Sequence, residues 1–116
     1  MIEITGTEKQ VAWATDIRAK FIASAEALIA EEVRLQEKRM AKVAETTGDK
    51  LDKLNKRIEK YAATIEKYQT RTAEILNEVS NAGWWIEYGR ADADIVIREF
   101  DSVKRGIAIG CVKTIS

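Results

Sequence analysis

Between Leu51 and Val79 the apolar residues return at steps of three and four without a slip: Leu51, Leu54, Ile58, Tyr61, Ile65, Tyr68, Thr72, Ile75 and Val79, with Thr72 the one polar member. An average step of 3.5 keeps one stripe of an α-helix turned toward a single partner, so this stretch reads as a heptad seam. The chain contains no proline, which removes the main interrupter of long helices. A long helix with an unsatisfied seam needs a second helix, and the residues before it supply one.

The first helix is predicted to start at "TEKQ". Thr7 and Gln10 have the spacing of a capping box, in which each side chain satisfies an orphan backbone N–H. Val11, Ala14, Ile17, Phe21, Ala25 and Leu28 then recur at helical spacing. A second stripe runs beside them through Ile22, Ile29, Val33, Met40 and Val43, so the apolar face is wide near the start and narrows toward Met40. The pattern stops at "ETTGDK", where Gly48 suits a left-handed C′ position and Asp49 the next N-cap. Two helices of about 55 and 45 Å, joined by roughly four residues, predict an antiparallel helical hairpin over residues 7–79.

After the hairpin, Ser80 can cap a short helix through "NAGWWIEY", ended by Gly89, and Asp92 can cap a fourth. The β-branched "ADIVIREFDSVKRG" needs a comparison of periods. As a helix it gathers Ala93, Val96, Ile97, Phe100 and Val103 on one face and stops at Lys104, Arg105 and Gly106, whereas a strand mixes charge into both faces. Helix is therefore predicted. The tail "IAIGCVKTIS" can extend along the core or pair with "IEI" at residues 2–4. The expected fold is all-α, one domain over residues 1–116: a long coiled-coil-like hairpin closed at its base by two shorter C-terminal helices and a tail (80–116).

"NAGWWIEYGR" concentrates aromatic surface. On a helix Trp84 and Tyr88 are neighbours and Trp85 points about 100° away. A helix that short must dock, and the natural dock is the hairpin's wide end, where Trp13, Ile17 and Phe21 meet Ile75, Leu76 and Val79. One of Trp84 and Trp85 is expected to fill that base and the other to be partly exposed, which makes Trp84, Trp85 and Tyr88 a candidate partner-binding surface. Base stacking is disfavoured, because only Arg90 is close and Glu87, Asp92 and Asp94 flank it.

Composition limits the chemistry. There is no histidine, so the usual general base near neutral pH and the Ser-His and Cys-His pairs are missing. The single cysteine, Cys111, has Lys113 as its only close charge and reads as inert. It cannot form an intramolecular disulfide, which fits a reducing compartment. Sites built from Cys and His cannot form, the carboxylates at Glu31–Glu32 and at Asp92 and Asp94 lack the spacing of a calcium loop, and no glycine-rich phosphate loop is present. No catalysis, metal or cofactor is expected. No basic n-region followed by an apolar run opens the chain and no run of about 18 apolar residues occurs, so a cytoplasmic protein with no membrane partner is expected.

The 19 basic and 19 acidic residues balance, so polyanion binding would need a local patch. One exists on the second helix: Lys50, Lys53, Arg57, Lys60, Lys67 and Arg71 share the flank beside the seam. Such residues often pair with acids of the facing helix, here Glu31, Glu32, Glu37 and Glu45. Alternatively they form a basic ridge, thickened by Lys38, Arg39 and Lys42, able to contact phosphates or an acidic protein surface.

"GTEKQVAWATDIRAKFI" and "NAGWWIE" together resemble a motif pair found in small, mostly uncharacterised proteins of phages, plasmids and conjugative elements. The shared pattern falls on Gly6 to Gln10, Trp13, Ala14, Ile17 and Arg18, then on Ala82 and Trp84 to Glu87. The resemblance covers about a third of the chain and implies a mobile-element setting with a paired N-terminal and C-terminal base; it supplies no reaction. The function expected on that footing is non-catalytic: binding to a nucleic-acid-processing machine, in its sharpest form inhibition of a host defence nuclease of the anti-CRISPR kind. The protein partner would be a nuclease or its nucleic-acid complex. The alternatives are direct DNA or RNA binding through the ridge, and a structural coiled-coil protein that dimerises, so that monomer and homodimer both remain open.

Overall fold

The computed structural model describes the backbone of residues 1–108 and the side-chain surroundings of residues 1–100. The described chain is all-α, as predicted: α1 (Glu8–Lys42) ends in a 3-10 turn (Val43–Glu45), α2 (Asp49–Glu78) returns beside it, and α3 (Ala82–Tyr88) and α4 (Ala93–Ala108) follow. The hairpin sets the 59 Å long axis. The capping box forms in full, Thr7 Oγ1 accepting from the Gln10 N–H and Gln10 Oε1 from the Thr7 N–H.

Three boundaries differ from the sequence expectation. Gly48, with φ +66°, is the N-cap of α2 and not the C′ residue of α1. The last carbonyls of α1 are instead taken by Thr46, whose hydroxyl donates to Lys42 O at 2.6 Å, so the left-handed residue is used to aim α2. Asn81, not Ser80, caps α3, its side chain accepting from Trp84 N at 3.0 Å. The Ser80 carbonyl is engaged elsewhere, by the Thr5 N–H at 2.7 Å. Helix α4 continues through Gly106 to Ala108 and does not stop there. The partner of the N-terminal "IEI" segment is the end of α2 and the turn into α3: Ile2 N–H donates to Leu76 O, Ala82 N–H to Thr5 O, and Thr5 and Asn81 form an isolated parallel bridge. The expectations for residues 109–116, Cys111 included, fall outside the described residues.

The core lies at the hairpin's base. Helix α3 packs on α1, and α4 packs against both α1 and α2. Trp84, Trp85, Phe100, Ile75 and Ile97 are its largest fully buried side chains. Helix α1 meets them with two small residues, Ala14 and Ala25, which have no exposed surface, and with the nearly buried Phe21. Close approach is also why residue 89 is glycine, since a Cβ there would stand 2.6 Å from the Trp85 ring and 2.7 Å from the Trp85 carbonyl oxygen. Farther out the fold is two helices alone, and Leu51, Leu54, Ile58, Tyr61 and Ile65 are only half-buried. With only two helices packed there, the seam keeps part of its surface in water, and the fully buried apolar cluster is confined to the base.

That outer arm is held in register by a polar contact. Gln36, the one buried polar residue among those described, donates from Nε2 to Ile58 O at 2.7 Å across the hairpin. Its Oε1 accepts from Arg39 at 3.1 Å, and the Arg39 guanidinium lies 3.8 Å from the Tyr61 ring centroid. The sequence carried a sign of this: in the stripe Ile29, Val33, Met40, Val43 the missing step falls on Gln36.

Candidate functional site

Helix α2 carries the basic flank on the outside of the arm. Lys50, Lys53, Arg57, Lys60 and Lys67 are exposed, while Arg71 is half-buried and paired with Glu74 of its own helix at 3.0 Å. For Lys50, Lys53, Arg57, Lys60 and Lys67 the expected salt bridges to α1 do not form among the described residues. Among the described residues none of those five exposed cations makes an ion pair, and Glu31 is taken by Arg34 on α1 itself, Nε to Oε2 at 2.9 Å. That hydrogen bond holds the Glu31 carboxyl below its ordinary range. The physical reason is that an exposed cross-helix pair gains too little to fix two long side chains, whereas an i, i+3 neighbour is already in place. The heptad repeat also sets an acidic row beside the basic one: exposed Asp52, Glu59 and Glu66 immediately precede Lys53, Lys60 and Lys67. Seven residues per repeat spaces each row at about 10.5 Å.

The aromatic expectation is inverted. Trp84 and Trp85 are both fully buried, so neither forms an accessible surface, and Tyr88 alone of the three reaches solvent at 36% exposure. Trp85 stacks edge-on against Phe21 and Trp84, with centroids at 5.6 and 5.1 Å, and its Nε1 donates to Val79 O at 3.1 Å. Trp13, placed in the core by the sequence reading, is instead half exposed. The inward position one residue on is Ala14, and a helix rotates by about 100° per residue, so the indole is carried outside. It lines an open groove of about 820 Å³ between α1 and the segment from Gly89 to Asp94 that turns α3 into α4. The Arg90 guanidinium stands 5.6 Å from the Trp13 ring centroid.

A quencher experiment separates the three indoles. With acrylamide, about one third of the tryptophan emission is expected to be readily quenched and the rest shielded, and Trp13→Phe should remove the accessible component. Access to all three indoles would contradict the burial of Trp84 and Trp85.

The segments around Gly6 and Ala82 come together at the base, where a Cβ on Gly6 would lie 3.0 Å from the Ala82 Cβ. Among the described residues no group of three or more metal-capable side chains gathers, and no helix is long and apolar enough to cross a membrane. Searches against protein-family models, curated proteins and solved structures find no match for this chain.

Proposed function

We propose that the protein is a non-catalytic binding module whose arm presents the basic flank of α2 to an acidic surface on a nucleic-acid-processing machine. In its sharpest form the partner is a host defence nuclease, or its nucleic-acid complex, that the protein inhibits. The observation that carries the reading is the row of five exposed cations left unneutralised along α2. Cations that are not held in ion pairs of their own stay available to a partner, even with carboxylates nearby. A protein surface is favoured over naked nucleic acid because Asp52, Glu59 and Glu66 border the lysine row and the chain has no net charge to draw a polyanion from a distance. The mobile-element setting implied by the motif pair supplies the kind of partner.

The unpaired cations equally supply what a direct DNA or RNA contact needs, and one experiment separates the two readings. Wild-type protein is expected not to shift duplex or single-stranded nucleic acid at physiological salt. Capture of a partner from bacterial lysate is expected to survive nuclease treatment. It should be lost when Lys50, Lys53, Arg57 and Lys60 are replaced by glutamine, with the helical circular dichroism unchanged. Tight binding of plain nucleic acid that weakens steeply with salt, by about 0.9 in log–log slope for each phosphate contacted on duplex DNA, would establish the direct reading instead.

A further inference from the structure

We propose that the groove beside Trp13 is a second, separate binding site, and that its occupant is an amphipathic helix of a protein partner. The occupant carries an apolar anchor and a carboxylate within one turn of it.

Three observations lead there. The first is shape. The α1 wall is built from Trp13, Ile17, Phe21, Ser24, Leu28 and Glu31, at steps of four, four, three, four and three, so the trough follows one face of a helix for five turns. The eighteen residue steps from Trp13 to Glu31 give it a length of about 27 Å. Helix-in-groove recognition needs that form, with anchors at i, i+3, i+4 and i+7 meeting an apolar floor.

The second is the exposed indole itself. Every other tryptophan is buried in the core, while Trp13 stays half exposed with Arg90 beside it. Tryptophan and arginine are the two side chains most enriched where protein interfaces concentrate their binding energy.

The third is charge. Two cations, Lys20 and Arg90, line the groove, and among the described residues neither makes an ion pair. Two of the three carboxylates there are already engaged: Glu31 by Arg34, and Asp94 by Arg98 at 3.5 Å. Only Asp92 is left against two cations. The unmet charge is positive and lies beside the apolar floor, which is why the occupant carries a carboxylate next to its anchor.

The test uses the full chain and a synthetic 18-residue helical peptide without tryptophan. Leucine and phenylalanine lie on one face of the peptide, with glutamate one turn from the phenylalanine. A control peptide of the same composition spreads the apolar residues around the helix. Trp13 is the reporter, read by acrylamide quenching, and affinity is read by calorimetry.

The amphipathic peptide is expected to shield Trp13 saturably at one peptide per chain. The control should bind at least tenfold more weakly. Leu28→Glu and Arg90→Glu should each weaken binding about tenfold; Arg90 is exposed, so its variant keeps the fold. The glutamine variant of the α2 flank should bind the peptide as wild type does, which separates this site from the flank. Equal protection by both peptides, or none by the amphipathic one at millimolar concentration, overturns the proposal. So does a Trp13 already shielded without peptide. If that shielding is independent of protein concentration, the chain covers its own groove; if it grows with concentration, a second copy does.

Discussion

Replacing Ile75 with aspartate is expected to abolish folding, whereas the same change at Ile65 should cost about 1–2 kcal/mol and leave a folded protein. Both residues occupy the heptad seam of α2, and the sequence pattern treats them alike. The structure does not. Ile75 has no exposed surface and belongs to the cluster with Trp84, Trp85 and Phe100, so a carboxylate there would be buried without a partner. Ile65 lies in the two-helix arm and is half-buried, so a carboxylate can turn its oxygens to water. Urea titration followed by circular dichroism checks the pair: Ile75→Asp should show no cooperative transition, and Ile65→Asp a transition at lower urea than wild type. Equal loss in both would mean that the arm has a core of its own.

Trp85→Ala is expected to destabilise by about 3–5 kcal/mol, a large share of the roughly 5–15 kcal/mol that holds a domain of this size. The side chain fills the contact between α3 and α1, makes edge-on ring contacts with Phe21 and Trp84, and ties α3 to the end of α2 through Val79 O. Trp85→Phe keeps a ring and loses the N–H donor, so it should fall between wild type and alanine. Trp13→Ala, by contrast, should change the denaturation midpoint little, because the Trp13 indole is half in water already. Equal midpoints for Trp85→Ala and Trp13→Ala would show that the assignment of inside and outside is wrong.

Those contrasts mark the line between local and long-range information. The helices and their antiparallel return were legible from local signals. The Thr7–Gln10 box, the uninterrupted seam from Leu51 to Val79 and the glycine near the turn act over a few residues, and helix formation is governed at that range. That the five exposed cations of α2 make no ion pair among the described residues was not legible, since whether an exposed lysine meets a glutamate on another helix depends on relative rotation, and the gain is small enough for rotamer entropy to decide. Which tryptophan is buried followed from long-range packing. Trp13 and Ala14 are adjacent, and the wide apolar end read for α1 could take either; packing beside Trp84, Trp85 and Phe100 leaves room for alanine at the inward position and carries the indole out to the groove. The cross-hairpin amide of Gln36 belongs to the same class, because its acceptor is the carbonyl of Ile58 in another helix, and only the packing of α1 on α2 brings the two within 2.7 Å.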